Sequence, residues 1–568
     1  MPVLSRWTAE IPGGSLQQWT FGSSFDPLPD TPQYIDPERP DTHFLTRSQY
    51  RLWSKRLAIG LTEAGLRPGD RVLLFSGNKL FTPVVFMGVL MAGGIFTGAN
   101  PSFVARELAY QLKDSGASFL IAADTSIDIA VEAAAEAGLP KSKIYSFDAS
   151  ALDPAPAKAP LGVNHWTSLL APTKKAEKWD WYEPSDPKTA TCCLNYSSGT
   201  TGVPKGVEIT HYSYIANGAG VMYTQKLKTD YEDWKRRARQ LCFLPMYHAF
   251  GQTYFITIFP RIGTPVYIMP SFDFVKMLEY VQRFRISGLT CVPPIVIGLV
   301  KHPLVKNYDL SSIETLGSGA APLSMEISAE VEKLWPSGDV LVHQGWGMTE
   351  VTCTCIGWDT NAKFRSIAVG EMMPNCKGKI MALDGSGEIT AANESGEIWV
   401  TGPTLMKGYW NKPEATAGAI QVDADGTRWL KTGDIAYIEK YEPGGLWHII
   451  DRLKELIKVK GNQVAPAELE GVLLDHKSVV DAAVVGVTIN GEEVPRAYIV
   501  PTPDTKVSEK EIAAWMQNKV IRYKWLKGGV VYVPEIPKNP SGKILRKELR
   551  DRAAKEVGDR KPATSKLA

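Results

Sequence analysis

The sequence lacks a surplus of charge of either sign. Its 63 Lys and Arg stand against 61 Asp and Glu, a formal net charge of +2 over 568 residues, so there is no broad cationic field for wrapping nucleic acid. A cysteine framework is also missing. Seven cysteines is an odd count, and Cys353 and Cys355 form CxC rather than paired CxxC sets. This spacing indicates neither a zinc site nor disulfides; the cysteines read as small core residues in a reducing compartment. Long apolar runs are absent too. The opening "MPVLSRWTAEIPGG" has no apolar core of signal length, so secretion is not expected. The window between Lys79 and Arg106 carries no charge but is broken by Gly93, Gly94, Gly98 and Pro101. A spanning helix needs about 20 consecutive apolar residues, so this window reads as a buried helix, a turn and a short strand. No transmembrane segment is expected.

What is present is an ordinary globular composition, 44% hydrophobic and 22% charged, in a chain too long for one core. Strand-like and helix-like segments alternate: "DRVLLFSGN", then "VARELAYQLKDSG" with Ser102 as cap and Val104, Leu108 and Leu112 on one face, then "SFLIAA". Later come "LCFLP", "PVYIM", the amphipathic "FVKMLEYVQRFR", "GLTCV", "IETLGSGAAPL" and "DVLVHQGWGMTE". Such alternation implies an α/β fold of largely parallel sheets covered by helices, with functional groups in loops after strand ends. After about Asp451 the pattern changes to "ELIKV", a helix opening at Pro466, "VVDAAVVGV", "RAYIVP", a helix from Ser508 and "GGVVYVP". The expected organisation is a large domain over 1–451 and a smaller, mobile α+β lid over 452–568, joined at the charged "DRLKELIKVKGNQ". From Lys543 onward the chain is basic, which reads as a solvated helix face. Ser565, Lys566 and Leu567 spell a peroxisomal address only when they end the chain. With Ala568 taken as an appended residue, a peroxisomal destination is expected; otherwise a cytoplasmic one.

The stretch "YSSGTTGVPKGV", Tyr196 to Val207, leaves the apolar run "TATCCLN" with three glycines, four Ser/Thr hydroxyls and a lysine. Missing Cβ atoms let N–H groups converge on anionic oxygens, to which hydroxyls and an ammonium add donors. It is not GxxxxGK[ST], because Gly206 follows Lys205. Taken alone, it could also be a Gly/Ser surface turn. Its companions decide: "LPMYHAFG", "GSGAAPLS", "QGWGMTE", "GEIWVTGPTLMKGYW", "TGD", "DRLKELIKVKGNQVAPAELE" and "PKNPSGKILRK" occur in the order and spacing of the adenylate-forming superfamily. From about Thr46 to Arg550 the chain resembles its 4-coumarate-CoA ligase and acyl-CoA ligase branch most closely.

That resemblance implies an ATP- and Mg²⁺-dependent acid:CoA ligase. A carboxylate is a poor acyl electrophile, so such enzymes first join it to the α-phosphorus of ATP and then let a thiol displace AMP. Bringing anion to anion requires cations and N–H donors at the phosphates. By resemblance, Ser197, Ser198, Gly199, Thr200, Thr201, Gly202 and Lys205 form the phosphate loop. Glu350 after Thr349 supplies an oxygen ligand suited to Mg²⁺. Gly319, Ala320 and Ala321 flank adenine, with Gly345, Trp346 and Gly347 in the following nucleotide-binding turn. Asp434 accepts from the ribose hydroxyls, as paired carboxylate oxygens allow, and Arg452 joins it from the hinge side. Lys543 bridges the α-phosphate and the substrate carboxylate.

For the thiol step, the resemblance places a hinge at Lys454 and has the rotated lid present Lys458, Lys460, Gly461 and Gln463. Arg261 becomes a candidate for CoA phosphate. Asn462 departs from the family's usual aromatic residue. His248 falls between acyl pocket and thiol tunnel, as a gate or positioning group. The acid pocket maps to Tyr247, His248, Ala249, Phe250, Tyr254, Gly317, Gly345 and Trp346. Its apolar and aromatic walls with few polar groups suit a cinnamic, benzoic or phenylacetic acid, or a medium-chain acid. Gly317 stands where plant coumarate ligases often carry lysine, so specific reading of a 4-hydroxyl is not expected. Alternatives sharing these motifs are a free-standing adenylation enzyme loading a carrier-protein thiol and a luciferase-like oxidase.

Overall fold

Apolar runs bounded by glycine and charge become strands buried on both faces, as a helix-covered parallel sheet demands. In this computed structural model the described residues are 1–153, 159–197, 203–319, 322–460, 462–489, 491–502, 505, 507–539 and 542–557. An eight-stranded sheet runs in the order Gly408–Tyr409, Lys205–Thr210, Thr191–Ser197, Ile95–Ala99, Arg71–Phe75, Ala117–Ala123, Ile144–Phe147, Asn164–His165. It is parallel from Thr191–Ser197 onward. Alternation sends Leu73, Phe75 and Leu120 to one core with Leu108 and Leu112, and Val72, Leu74 and Ile121 to another with Leu57 and Phe86. The charge-free window forms the helix Thr82–Met91 and the strand Ile95–Ala99. Among the described residues no helix is long and apolar enough to cross a membrane. All seven cysteines are buried and free.

The helix expected to be capped by Ser102 starts later, at Ala105, with Val104 as its N-cap. Val104 has extended backbone, which swings its side chain off the stripe into solvent. The Glu107 carboxylate accepts its N–H at 3.1 Å; only Leu108 and Leu112 face the core.

A second sheet runs Val342–Gln344, Thr315–Ser318, Gly288–Cys291, Gln240–Cys242, Val266–Ile268, Pro32–Ile35, Phe44–Thr46, parallel except at the last pair. Leu289, Cys291, Leu316 and Val342 turn into a core with Met277, Leu278 and Val281 of the helix Phe274–Phe284. Thr290, Thr315, Gly317 and His343 therefore present the opposite face.

The third sheet departs from the expectation of largely parallel pairing. Lys377–Met381, Gly396–Thr401, Arg428–Ile438 and Trp447–Arg452 pair antiparallel, and the turns "DGSG" and "ADG" close hairpins at the sheet's edges, Lys377–Met381 with Glu388–Ile389 and Ile420–Val422 with Arg428–Ile438. Beyond Arg452 come the hairpin Ile457–Val459 and Asn462–Val464, the helix Pro466–Leu474 and the sheet Val479–Ile489, Glu492–Pro501, Val530–Tyr532. The helices Glu509–Gln517 and Arg546–Val557 complete this part, which has its own core around Leu469, Val484, Ile499 and Ile512. It touches the body where the Lys301 ammonium donates to the Leu474 carbonyl at 3.2 Å and Ser324 Oγ to Asp475 at 3.0 Å. At the junction the Asp451 carboxylate accepts from Ala467 N at 2.8 Å; burial raises its pKa to about 6. The basic final helix is not simply solvated, since Arg546 pairs with Glu470 and Arg550 with Glu455. The Ser-Lys-Leu tripeptide lies outside the described residues.

Candidate active site

The C-terminal ends of the parallel strands open into one cavity of about 2170 Å³. The strands Thr191–Ser197 and Lys205–Thr210 pair antiparallel with Ser197 opposite Lys205, so both ends of the glycine-rich loop are fixed at the cavity rim. Ser198, Gly199, Thr200, Thr201 and Gly202 lie outside the described residues, as do Ala320, Ala321 and Gly461. The Lys205 ammonium stands 5.0 Å from the Tyr409 ring centroid. The Tyr409 hydroxyl in turn donates to Glu350 Oε1 at 3.0 Å. Glu350 is almost fully buried in the short turn Thr349–Val351, which is held where Met406 N donates to its carbonyl and Thr352 Oγ1 to the Thr404 carbonyl. A carboxylate with a hydroxyl neighbour, lining a cavity beside Thr349, is a hard-oxygen set of the kind Mg²⁺ takes through one or two carboxylates plus phosphate.

Across the cavity, Asp434 and Arg452 sit directly opposite each other on adjacent strands of the third sheet. Arg452 Nε is 3.2 Å from Asp434 Oδ1. The contact is close enough for an ion pair but poorly aligned, so Oδ1 is buried without a hydrogen-bond donor. Oδ2 accepts from the Trp346 indole at 2.9 Å. Trp346, expected both in the acid pocket and in the nucleotide-binding turn, thus points its indole N–H at the carboxylate. Gly319 and Gly345 end neighbouring parallel strands, and among the described residues a Cβ on Gly319 would meet nothing nearer than Gly345 O at 4.0 Å; both line the cavity. Gly347 instead is packed against the backbone of Cys353.

Lys543 arrives from the smaller C-terminal part of the chain. Its loop is closed by Asn539 N donating to the Lys543 carbonyl and Lys543 N donating to Asn539 Oδ1, both at 2.9 Å. Gly542 has φ +81°, and a Cβ there would lie 2.9 Å from Val292 Cγ2, at the end of the strand Gly288–Cys291. The loop therefore docks against the body through a position that only glycine fills without strain. Burial first, then Arg452 and Lys454, push the Lys543 ammonium down to about 8. The same charge, after burial, pushes His248 down to about 4, so body and lid place a neutral imidazole near a cation. His248 Nδ1 accepts from Phe250 N at 3.4 Å, capping the helix that carries the pocket aromatics.

Tyr247, Ala249, Phe250, Tyr254, Gly317, Gly345 and Trp346 line the same cavity, with the Phe250 and Tyr254 rings stacked 4.4 Å apart. The expectation of few polar groups holds only there. Farther along, Thr290, Thr315, Gln240 and His343 enter the wall, because strand alternation gives that face to them.

Lys458, Lys460 and Gln463 do not line the cavity; they are exposed, with Lys460 3.2 Å from Glu492. Arg261 is not brought to it either. It ends the helical run that begins after His248 and stands over Trp19, on the order of 15–20 Å along the helix axis. The body wall thus places Arg261 at the far end of a buried helix. Lys454 follows the last rung of the sheet, where Leu453 N donates to the Gly433 carbonyl at 2.8 Å.

Residue-type reasoning passed over Tyr409, although its motif was in view. It also passed over Gln252, whose amide donates to the Tyr247 carbonyl at 2.8 Å and accepts from Asn195 at 2.9 Å. That buried link couples the glycine-rich strand to the His248 segment through a π-helical turn at Gln252–Ile258, a feature common at functional sites. No local pattern announces it.

The chain is similar to known proteins in sequence and in fold. The AMP-binding enzyme family model matches residues 24–410, and the AMP-binding enzyme C-terminal domain model residues 468–543. The phenylacetyl-CoA ligase epaB of Aspergillus niger is 35% identical over 96% of this chain and 97% of that protein. The 4-coumarate–CoA ligase 2 of Nicotiana tabacum is 37% identical over 90% of this chain and 89% of that protein. Among solved structures, the anthranilate CoA ligase AuaEII in complex with anthranoyl-AMP superposes with a TM-score of 0.81 at 21% identity, covering 96% of this chain and 98% of that one.

Proposed function

The chain belongs to the AMP-binding enzyme family, and on that premise we propose that it is an ATP-dependent acid:CoA ligase. It joins a carboxylic acid to AMP with release of pyrophosphate and then transfers the acyl group to CoA. The observation that carries this reading is the lid lysine, Lys543, buried in the body's cavity among Asp434, Arg452 and His248. Lys543 neutralises the carboxylate and α-phosphate as they meet; the loop from Ser197 to Lys205 covers the outer phosphates; Asp434 Oδ1 accepts from ribose; Gly319 and Gly345 leave adenine a flat wall. Glu350, beside Thr349, would hold Mg²⁺, which offsets phosphate charge when bound. His248, neutral near pH 7, positions rather than protonates. Closure of residues 452–568 over 1–451 excludes water from a labile mixed anhydride. Rotation about Lys454 then withdraws Lys543 and presents Lys458, Lys460, Gly461 and Gln463 to the thiol. The aromatic end of the pocket supports an aryl or medium-chain acid.

Pyrophosphate release measured across an acid panel, with and without CoA, tests the reading. The expected result is acid-dependent pyrophosphate and AMP, with thioester only when CoA is present; no AMP with any acid overturns it. Because Lys543 must be protonated to neutralise anions, kcat/KM for ATP, which reports the free enzyme, should fall as pH rises through about 8. A profile flat to pH about 10 would contradict the role. Gly542→Val, which obstructs docking on Val292, should lower pyrophosphate release about tenfold or more while sparing thioester formation from supplied acyl-adenylate. Equal loss in both half-reactions would contradict the docking role.

A further inference from the structure

The cavity does not end at the aromatic pocket. It is lined along the whole strand from Glu314 through Gly319, about 16 Å at 3.3 Å per residue, with Gly319 at the nucleotide end and Glu314 at the other. One wall is the sheet face turned away from the Met277 and Leu316 core. Gln240 and Thr315 meet there over Gly288, where a Cβ would lie 2.5 Å from Gln240 Nε2 and 2.9 Å from Thr315 Oγ1. Gly317 keeps this passage open, since a Cβ there would have no neighbour within 3.8 Å and only Thr290 and His343 O at 3.9 Å. The opposite wall comes from Val221, Thr224 and Gln225 of the helix His211–Lys226, and from Trp234.

At its far end the passage reaches solvent through four part-exposed charged side chains. Arg237 donates from Nε and Nη2 to Glu314 at 2.6 and 2.9 Å and also pairs with Asp230, and Lys228 Nζ stands 3.5 Å from Glu314. Two cations and two carboxylates cancel, so a charged group arriving here would meet as many like charges as opposite ones. An aliphatic terminus would gain nothing from Gln240, Thr315 and the ionic rim, whereas a hydroxyl or amide can both donate to a carboxylate and accept from a guanidinium.

Resting on the ligase reading, we propose that the acid arm is a through-passage with a second mouth at Lys228, Asp230, Arg237 and Glu314. It takes an extended carboxylic acid whose remote end carries an uncharged hydrogen-bonding group, such as a hydroxyl or amide, held at that mouth. The carboxylate lies at Lys543, the body runs past Tyr254, Gly317 and His343, and the remote group exchanges hydrogen bonds with Thr315, Gln240 and the Arg237–Glu314 pair.

The test is acid-dependent ATP–pyrophosphate exchange with hexanoic, cinnamic, dodecanoic and ω-hydroxydodecanoic acids, using the full-length wild type and the charge-neutral double variant Arg237→Ala, Glu314→Ala. In the wild type, kcat/KM for ω-hydroxydodecanoic acid should exceed that for dodecanoic and hexanoic acids about tenfold, the size of one well-made hydrogen bond. The double variant should bring the hydroxy acid within about threefold of dodecanoic acid, leaving hexanoic and cinnamic acids and the melting temperature unchanged. Two outcomes overturn the proposal: a hydroxy acid no better than hexanoic acid, or a double variant that weakens all four acids equally. Exchange with short acids alone removes only this inference, whereas no exchange with any acid removes the ligase reading as well.

Discussion

Replacing Lys543 with alanine is expected to cut acid-dependent pyrophosphate release by about 10²–10³-fold, the range for removing one preorganised group that meets developing charge. The variant should fold. The ammonium is pushed down to about 8 by burial and by its cationic neighbours, so folding disfavours its charged form. Below that pH its charge subtracts from stability, and a truncated side chain removes that burden. The expected melting temperature is therefore at or above that of the wild type. Thioester formation from supplied acyl-adenylate should be partly retained, because the proposed mechanism withdraws the Lys543 loop in that step. If both half-reactions fall together, the lysine is structural and the assignment fails.

A second large effect should follow Gly347→Ala. An added methyl would lie 1.7 Å from Cys353 O and 2.7 Å from its carbonyl carbon. Both are backbone atoms of the adjoining strand, so neither can rotate aside. The pairing of Trp346–Gly347 with Thr354–Gly357 is already irregular between Trp346 and Gly347. Overpacking of this kind costs about 1–3 kcal/mol or more. Function should suffer further, because the same turn holds the Trp346 indole on Asp434 and the Glu350 carboxylate on Tyr409; displacing such groups by about 1 Å can cost 10²-fold in rate. Gly319→Ala is the control, its nearest neighbour 4.0 Å away, and should leave thermal stability unchanged. If the two variants melt alike, steric packing is not what Gly347 supplies.

Much of this site was legible because its chemistry sits in short, ordered motifs. Lys543, Asp434, Arg452, Glu350 and His248 each lie in a motif of the resembled family, without which each reads as an ordinary surface or core residue; four of them line one cavity, and Asp434 is bonded to its wall through Trp346. The parallel sheets were legible for a similar reason, since apolar runs such as Val72–Phe75 alternate with amphipathic helices. The antiparallel sheet was less so, although "DGSG" and "ADG" mark its turns; its strands are short or interrupted, and the alternating helices elsewhere dominated the reading. The far passage was not legible at all. Lys228, Gln240, Thr315 and His343 come from separate elements and share a wall only because strand direction and alternation bring them there. Arg261 shows the converse: its helix carries it away from the cavity. Val104 shows how a regular spacing fails at a helix end, where the backbone has not yet turned.

Asp434 and Arg452 face each other across the last rung of the body's antiparallel sheet, and the very next backbone bond, from Leu453 to Gly433, is the final stitch before the chain leaves for the lid. On the proposed reading, a ribose bound at that pair would pull directly on the junction between the two parts of the chain. Nucleotide loading and release would then couple to the proposed rotation through two strand-end residues and one backbone hydrogen bond.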